Sequence, residues 1–208
     1  MTMLLAVEGL GMRYGSHVVF DGLDLAYGAG AVALVGRNGA GKSTLLALLA
    51  GIDAPQAGRV MICGVDLAQG QGGRAKLAWV PDASVAYDFM TGDEFVRMVQ
   101  ALRGCSSISR ALLTGFGIDG YLGARFGDMS LGTRKKFMLA AGLMGDSQVV
   151  LMDEPTNGID ADARTFLALQ IKARTQSGLV LFSTHDRDFI ALVDARVLDL
   201  SARGVQAG

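Results

Sequence analysis

The chain has 208 residues, half of them hydrophobic, and its 19 basic and 20 acidic side chains leave a formal net charge of −1. That length suits one domain with a substantial core, and a near-neutral charge without a basic block excludes an extended nucleic-acid footprint. Mean hydropathy is high at +0.35, yet the most apolar runs, Ala31–Val35 and Leu45–Ala50, fall far short of the ~20 residues a membrane helix needs; a buried α/β core is the favoured explanation, an apolar docking surface the competing one.

The N-terminal segment Met1–Ala6 carries no basic residue before Glu8, so no signal peptide is expected. Strands are predicted at Met3–Leu10 and Val32–Val35, then a helix over Lys42–Ala50 that Gly51 closes, with Pro55 shortly beyond. Gly58–Cys63 and Leu77–Pro81 read as further strands. From about Asp82 to Met129 the strand signal stops. Thr91-Gly92-Asp93-Glu94 forms a capping box for a helix reaching about Leu102. Ser130 precedes a helical run to about Met144, in which Arg134-Lys135-Lys136 reads as a solvated helix edge. Strands resume at Val149–Asp153, Leu179–Ser183 and Arg196–Leu200. Between the first two, Asp160 caps a helix with Ala163, Leu167 and Ile171 on one face, ended by Gly178. This alternation predicts an α/β fold with a mostly parallel sheet. The expected organisation is a single domain, with 1–81 and 130–208 as the α/β core and 82–129 as an inserted helical lobe. Nothing substantial follows the last strand, so no appended regulatory domain is expected. Cys63 and Cys105 have neither metal-site spacing nor a disulfide framework, which fits a reducing cytosol.

Gly36-Arg37-Asn38-Gly39-Ala40-Gly41-Lys42-Ser43 matches G-x-x-x-x-G-K-[ST] in full, between a predicted strand and a predicted helix. Glycines let backbone N–H groups converge on phosphate oxygens, and the following helix points its partly positive end at the same anion. Lys42 is expected to reach the β- and γ-phosphates of a nucleotide and Ser43 to ligate Mg²⁺. The apolar strand ending in Asp153-Glu154 supplies two carboxylates. Adjacent strand residues face opposite ways, so Asp153 suits the metal and Glu154 an attacking water; taken without the loop, a merely capped strand end fits equally well. His185 follows another strand, where a polar residue is placed for a ligand, although a lone histidine is more often structural.

Together these motifs resemble the ABC transporter nucleotide-binding family from about Leu5 to Leu200. Tyr14 is similar to the aromatic that stacks on adenine, and Gly36–Thr44, including Thr44 itself, to the phosphate loop. Met129-Ser130-Leu131-Gly132-Thr133 resembles the signature sequence, Val149–Glu154 the acidic strand with its catalytic glutamate, Asn157-Gly158-Ile159-Asp160 the D-loop, and His185 the switch histidine. The resemblance implies a P-loop NTPase core with an antiparallel portion near the N-terminus. It also implies a homodimer or heterodimer of ATPase subunits with ATP and Mg²⁺ held between them. Ser130 and Gly132 would then donate hydrogen bonds to the partner's nucleotide. Two departures stand out: Asp82 occupies the lobe boundary where many members carry glutamine, leaving it as a candidate metal neighbour, and Leu131 and Thr133 replace the usual glycine and glutamine. Both resemble a branch serving exporters with separately encoded membrane subunits. The expected function is ATP hydrolysis powering such an exporter, with the chain peripheral on the cytoplasmic face through transmembrane permease subunits. An assembly factor acting on soluble partners, or a regulator with degenerate catalysis, is the alternative. Phe89, Met90, Phe95, Met98 and Val99 are candidates either for a groove receiving a helix of the membrane subunit or for the lobe's own core.

Overall fold

A computed structural model of the chain describes residues 2–105 and 110–201. It opens with β1 (Leu5–Tyr14), β2 (His17–Tyr27), β3 (Gly30–Val35) and α1 (Lys42–Leu49). Next come β4 (Ala57–Ile62), β5 (Val65–Asp66), the short α2 (Gln71–Arg74) and β6 (Leu77–Val80). The middle is helical, with α3 (Gly92–Arg103), α4 (Arg110–Gly115) and α5 (Leu131–Leu143). β7 (Val149–Met152), α6 (Ala161–Arg174), β8 (Leu179–Ser183), α7 (Arg187–Leu192) and β9 (Arg196–Asp199) complete the described chain.

Two sheets result. Five strands lie parallel in the order β6-β7-β8-β3-β9, and four lie antiparallel in the order β2-β1-β4-β5. Both the parallel sheet and the antiparallel portion near the N-terminus agree with expectation. One hydrophobic core packs each face of the parallel sheet. Val149 and Leu151 of β7 join α1 and the antiparallel sheet, while Val150 and Met152 join α5, α6 and the segments around Phe95, Phe116 and Phe126. A strand covered on both sides has little room for polar residues, which is why β7 is apolar throughout and β8 is apolar up to its closing Ser183. α1 buries Leu45, Leu46, Leu48 and Leu49 for the same reason, since it lies between two sheets. This double burial accounts for the high hydropathy. No helix of the described residues is long and apolar enough to cross a membrane.

Between Asp82 and Met129 no described residue belongs to a named strand, and a lone bridge joins Thr91 to Arg125. Both bonds of the Thr91–Glu94 capping box form. Phe95, Phe126 and Phe137 meet edge-on or tilted, with centroids 5.1 to 6.5 Å apart, and so fasten α3 to α5.

The N-terminal strands differ from the sequence reading. β1 starts at Leu5 and runs on to Tyr14, and β2 was not foreseen. Asp21, Gly22 and Asp24 interrupt the alternation of β2, and its pairing with β1 contains three register shifts. The side chain of Asp24 accepts a bond from Gly9 N–H at 2.7 Å, close to where the ladder slips. Burial of Val19, Phe20 and Leu25 holds β2 in place. Pro81, Asp153 and Leu200, read as strand ends, stand just beyond β6, β7 and β9.

Candidate functional site

The loops after β3, β6, β7 and β8 all leave the carboxyl edge of the parallel sheet, the edge at which such sheets bind ligands. After β3 the backbone passes through Gly36, Gly39 and Gly41 at φ of 153°, 84° and 88°, a path open to glycine and strained for other residues. At Gly41 a Cβ would also lie 2.7 Å from Val19 Cγ1 and 2.9 Å from Phe20 Cζ. β2 therefore backs the loop, a contact no motif discloses. Ala40 N–H closes a turn onto the Arg37 carbonyl at 3.0 Å, which leaves Asn38 and Gly39 at an exposed tip. α1 then begins with no side-chain cap and no acidic residue in its first turn. Its first N–H groups and the positive end of its dipole are left for an anion. The buried Lys42 amine donates to the Gly36 carbonyl at 3.0 Å and lies 3.2 Å from His185 Nε2. Ser43 is exposed and Thr44 half-buried beside it.

β7 and β8 are neighbours, and their first residues beyond or at the strand ends interlock. The fully buried Ser183 hydroxyl donates to Asp153 Oδ1 at 2.5 Å and accepts from Glu154 N–H at 2.8 Å. Glu154 adopts φ 42°, an uncommon left-handed conformation for a residue with a side chain. The two carboxylates consequently part: Asp153 meets Ser183, and Glu154 Oε1 lies 3.4 Å from His185 Nε2. Burial pushes the Glu154 carboxyl above the usual glutamate value, against the downward pull of His185 and Lys42. Asp186, next to His185, caps α7 and grips Arg164 of α6 with two bonds of 3.1 Å.

Lys42, Glu154 and His185 thus come together, with Asp153 tied in through Ser183. Gly36 joins the cluster through its carbonyl, which accepts from Lys42, whereas Tyr14, Ser130, Gly132 and Asp160 stand apart from it, with no hydrogen bond to it among the described residues. Tyr14 sits half-exposed at the β1–β2 hairpin. Ser130 caps α5 by accepting from Thr133 N–H at 3.1 Å, next to the exposed Leu131. At Gly132 a Cβ would approach the Gly158 carbonyl oxygen to 2.3 Å, so the start of α5 is pressed against the Asn157–Asp160 loop. Asp160 caps α6 and pairs with Lys136, whose hydrogen bond, joined by that from Ala163 N–H, holds its carboxyl below the usual aspartate value.

The basic triplet is not the solvated edge expected of it. Lys135 is 5% exposed, and its amine reaches the carbonyls of Pro81 (3.1 Å), Asp82 (3.0 Å) and Asp153 (3.0 Å) and the Asp82 Oδ1 atom (3.2 Å). Burial pushes this amine below the usual lysine value, and Asp82 pulls it back. Helical phase gives a signal for it: Lys135 shares a face with the buried Met138, Leu139 and Gly142. Ser183 had a weaker one, as the first polar residue closing an apolar strand.

Among the described residues no three His, Cys, Asp or Glu side chains converge on a metal position. Mg²⁺ suits that pattern, because it takes one or two carboxylates and completes its shell from phosphates and water. Buried Asp153, exposed Ser43 and the uncapped start of α1 are donors of the kind that Mg²⁺ and a phosphate chain require. Elsewhere, a groove of about 1060 Å³ is lined by Trp79, Pro81, Val85, Met98 and Leu102, with Phe95 and Val99 also in its wall. Phe95 and Val99 are buried, so the lobe's own core claims them, while Met98 stays accessible. Phe89 is 70% exposed and stacks on Tyr87, and Met90 packs against the core; neither lines the groove.

Comparison with known proteins shows which family the chain is similar to. A family model described as ABC transporter matches residues 21–157. Nod factor export ATP-binding protein I of Cupriavidus metallidurans is 33% identical over 89% of this chain and 64% of its own length. The ABC transporter ced-7 of Caenorhabditis elegans is 34% identical over 81% of this chain, which spans 10% of that protein. The lipoprotein-releasing system ATP-binding protein LolD of Xylella fastidiosa is 36% identical over 98% of this chain and 92% of its own length. A solved ATP-binding subunit of an ABC transporter superposes with a TM-score of 0.84 at 28% identity, covering 90% of this chain and 81% of that one. The family model and the relatives agree with the fold, and the chain belongs to the ABC transporter family.

Proposed function

We propose that this chain is an ATP-hydrolysing subunit that powers an ABC exporter by closing as a dimer against separately encoded membrane subunits. The observation that carries the reading is the meeting of Lys42, Glu154 and His185, from three different loops, at the carboxyl edge of one sheet. Bound ATP would supply the phosphoanhydride bond to be broken, and Mg²⁺ the countercharge for its phosphates. Gly36, Asn38, Gly39, Ala40, Gly41 and Thr44 form the cradle around the phosphates, and Lys42 neutralises them from below. Ser43 and Asp153 hold the metal. Glu154 Oε1 accepts the proton of the attacking water, a task that its raised affinity for protons favours. His185 Nε2, within reach of both Lys42 and Glu154, orients that water. Tyr14 stacks on adenine. Ser130, Gly132 and Asp160 face the site of the partner subunit, whether a second copy or a related chain. The groove bordered by Met98 and Leu102 receives the membrane subunit, which places the chain on the cytoplasmic face of the membrane. The export reading draws on the Nod factor and lipoprotein-releasing relatives.

The test is ATP turnover measured across protein concentration for wild type and Glu154→Gln, with dimer formation followed alongside. Shared sites require turnover that rises more steeply than concentration, and a mutant that binds ATP, stays inactive and accumulates as a dimer. Proportional turnover from a persistent monomer refutes the sandwich.

A further inference from the structure

We propose that Lys135 is a positioning residue of the ATPase site, a cationic knot that compensates Asp82 and ties the lobe boundary to the end of β7. The proposal rests on the ATPase reading above. Its geometric basis is that one buried ammonium serves four oxygens on two separate loops: Pro81 O, Asp82 O and Asp82 Oδ1 after β6, and Asp153 O after β7. An ammonium has three protons, so with four oxygens in reach all three are committed inside the protein and one is shared. The stem rises from α5, five residues after Ser130, so one helix begins at the partner-facing signature and also grips both loops.

Chemistry explains why an acid stands at position 82. A glutamine there could donate as well as accept; a carboxylate can only accept, and it adds a negative charge to a region already holding Asp153 and Glu154. Lys135 supplies the compensating charge at 3.2 Å. Asp82 is half-exposed and Lys135 buried, so the pair is anchored from the inside. Without the ammonium, three backbone carbonyls lose their donor and Asp82 faces the other two carboxylates uncompensated. The register of Asp153, and with it of Glu154, would then no longer be fixed to the loop after β6. Asp82 then acts through Lys135 rather than as a neighbour of the metal.

The experiment compares wild type, Lys135→Met, Lys135→Arg and the double variant Lys135→Met/Asp82→Asn. Three quantities are read: kcat and KM for MgATP, affinity for a fluorescent ATP analogue in EDTA, and the emission of Trp79, the only tryptophan, which stands two residues before Pro81. Lys135→Met keeps the packing stem and deletes the charge. Its kcat is expected to fall about tenfold or more while KM and analogue affinity stay within about threefold, since the phosphate loop is untouched. Adding Asp82→Asn should recover at least about threefold of that kcat and return the Trp79 emission toward wild type, because the stranded charge is gone. Lys135→Arg, which retains the charge, should keep more turnover than Lys135→Met and covers the case in which the methionine variant does not fold. A double variant no faster than Lys135→Met, parallel losses of kcat and affinity, or an arginine variant as slow as the methionine one would overturn the proposal and leave Lys135 a packing residue. A wild-type chain that binds no ATP would instead sink the ATPase reading, and this proposal with it.

Discussion

Replacing Ser183 by alanine removes one oxygen atom from the interior and breaks two bonds that meet at the site. The hydroxyl donates to Asp153 Oδ1 at 2.5 Å, a bond to a buried carboxylate worth about 1.5–3 kcal/mol. It also accepts from Glu154 N–H at 2.8 Å, and a buried N–H left without a partner costs about 1–3 kcal/mol. The two losses share one atom and do not add in full, so we expect a destabilisation of about 3 kcal/mol. For a domain of this size that lowers Tm by roughly 6–12 °C. Urea unfolding followed by circular dichroism at pH 7 measures the loss directly. Thr175→Ala, which removes a bond on the exposed end of α6, is the control and should cost no more than about 0.5 kcal/mol. Turnover should fall with Ser183→Ala, because Glu154 depends on that anchor for its unusual backbone angle. A cost for Ser183→Ala under about 1 kcal/mol would show that the two strand ends keep their register without the hydroxyl, and the account of the site would be wrong.

Three further outcomes follow from the geometry. Glu154→Gln should raise stability at neutral pH. Burial raises the folded-state pKa of this carboxyl above its usual 4.5, so wild-type stability is full below that value and is lost as pH rises through the higher one. The gap between mutant and wild type should therefore close when urea midpoints are taken below pH 4.5. Gly132→Ala forces a Cβ to within 2.3 Å of the Gly158 carbonyl oxygen; a cost of about 1–3 kcal/mol in urea unfolding, with the displaced loop lowering turnover, is expected. Gly142→Ala in α5 would gain helix propensity but drives its Cβ to 2.1 Å from Val80 Cγ2. It should destabilise by a similar amount, and Val80→Ala in the same chain should relieve part of the cost.

The phosphate loop, the acidic strand end and the caps at Thr91 and Asp160 were legible because each is a local rule, satisfied within a few residues of chain. β2 was not, because its stability comes from pairing with β1 and from backing the phosphate loop, and its own alternation is broken at Asp21 and Gly22. Lys135 was misread for a related reason. Three adjacent cations suggest solvent when composition is considered alone, yet helix geometry turns the middle one inward, where oxygens from remote segments receive it. Ser183 shows the limit of motif reading: its role exists only because β7 and β8 are neighbours in register. The apolar candidates of the middle segment divided between buried core and accessible wall, and sequence pattern cannot separate the two when one helix supplies both.

β7 is four residues long and belongs to two interiors at once. Val149 and Leu151 answer to α1 and so to the phosphate loop. Val150 and Met152 answer to α5 and so to the end of the molecule that carries Ser130. Residues adjacent in sequence thus share the flanking strands β6 and β8 but send their side chains into different interiors. A substitution at Val150 or Met152 alters the packing against α5 and α6 directly, while Val149 and Leu151 keep their seats against α1. The acidic pair that follows stands where these two interiors meet, with Asp153 bound to a strand and Glu154 turned toward a loop.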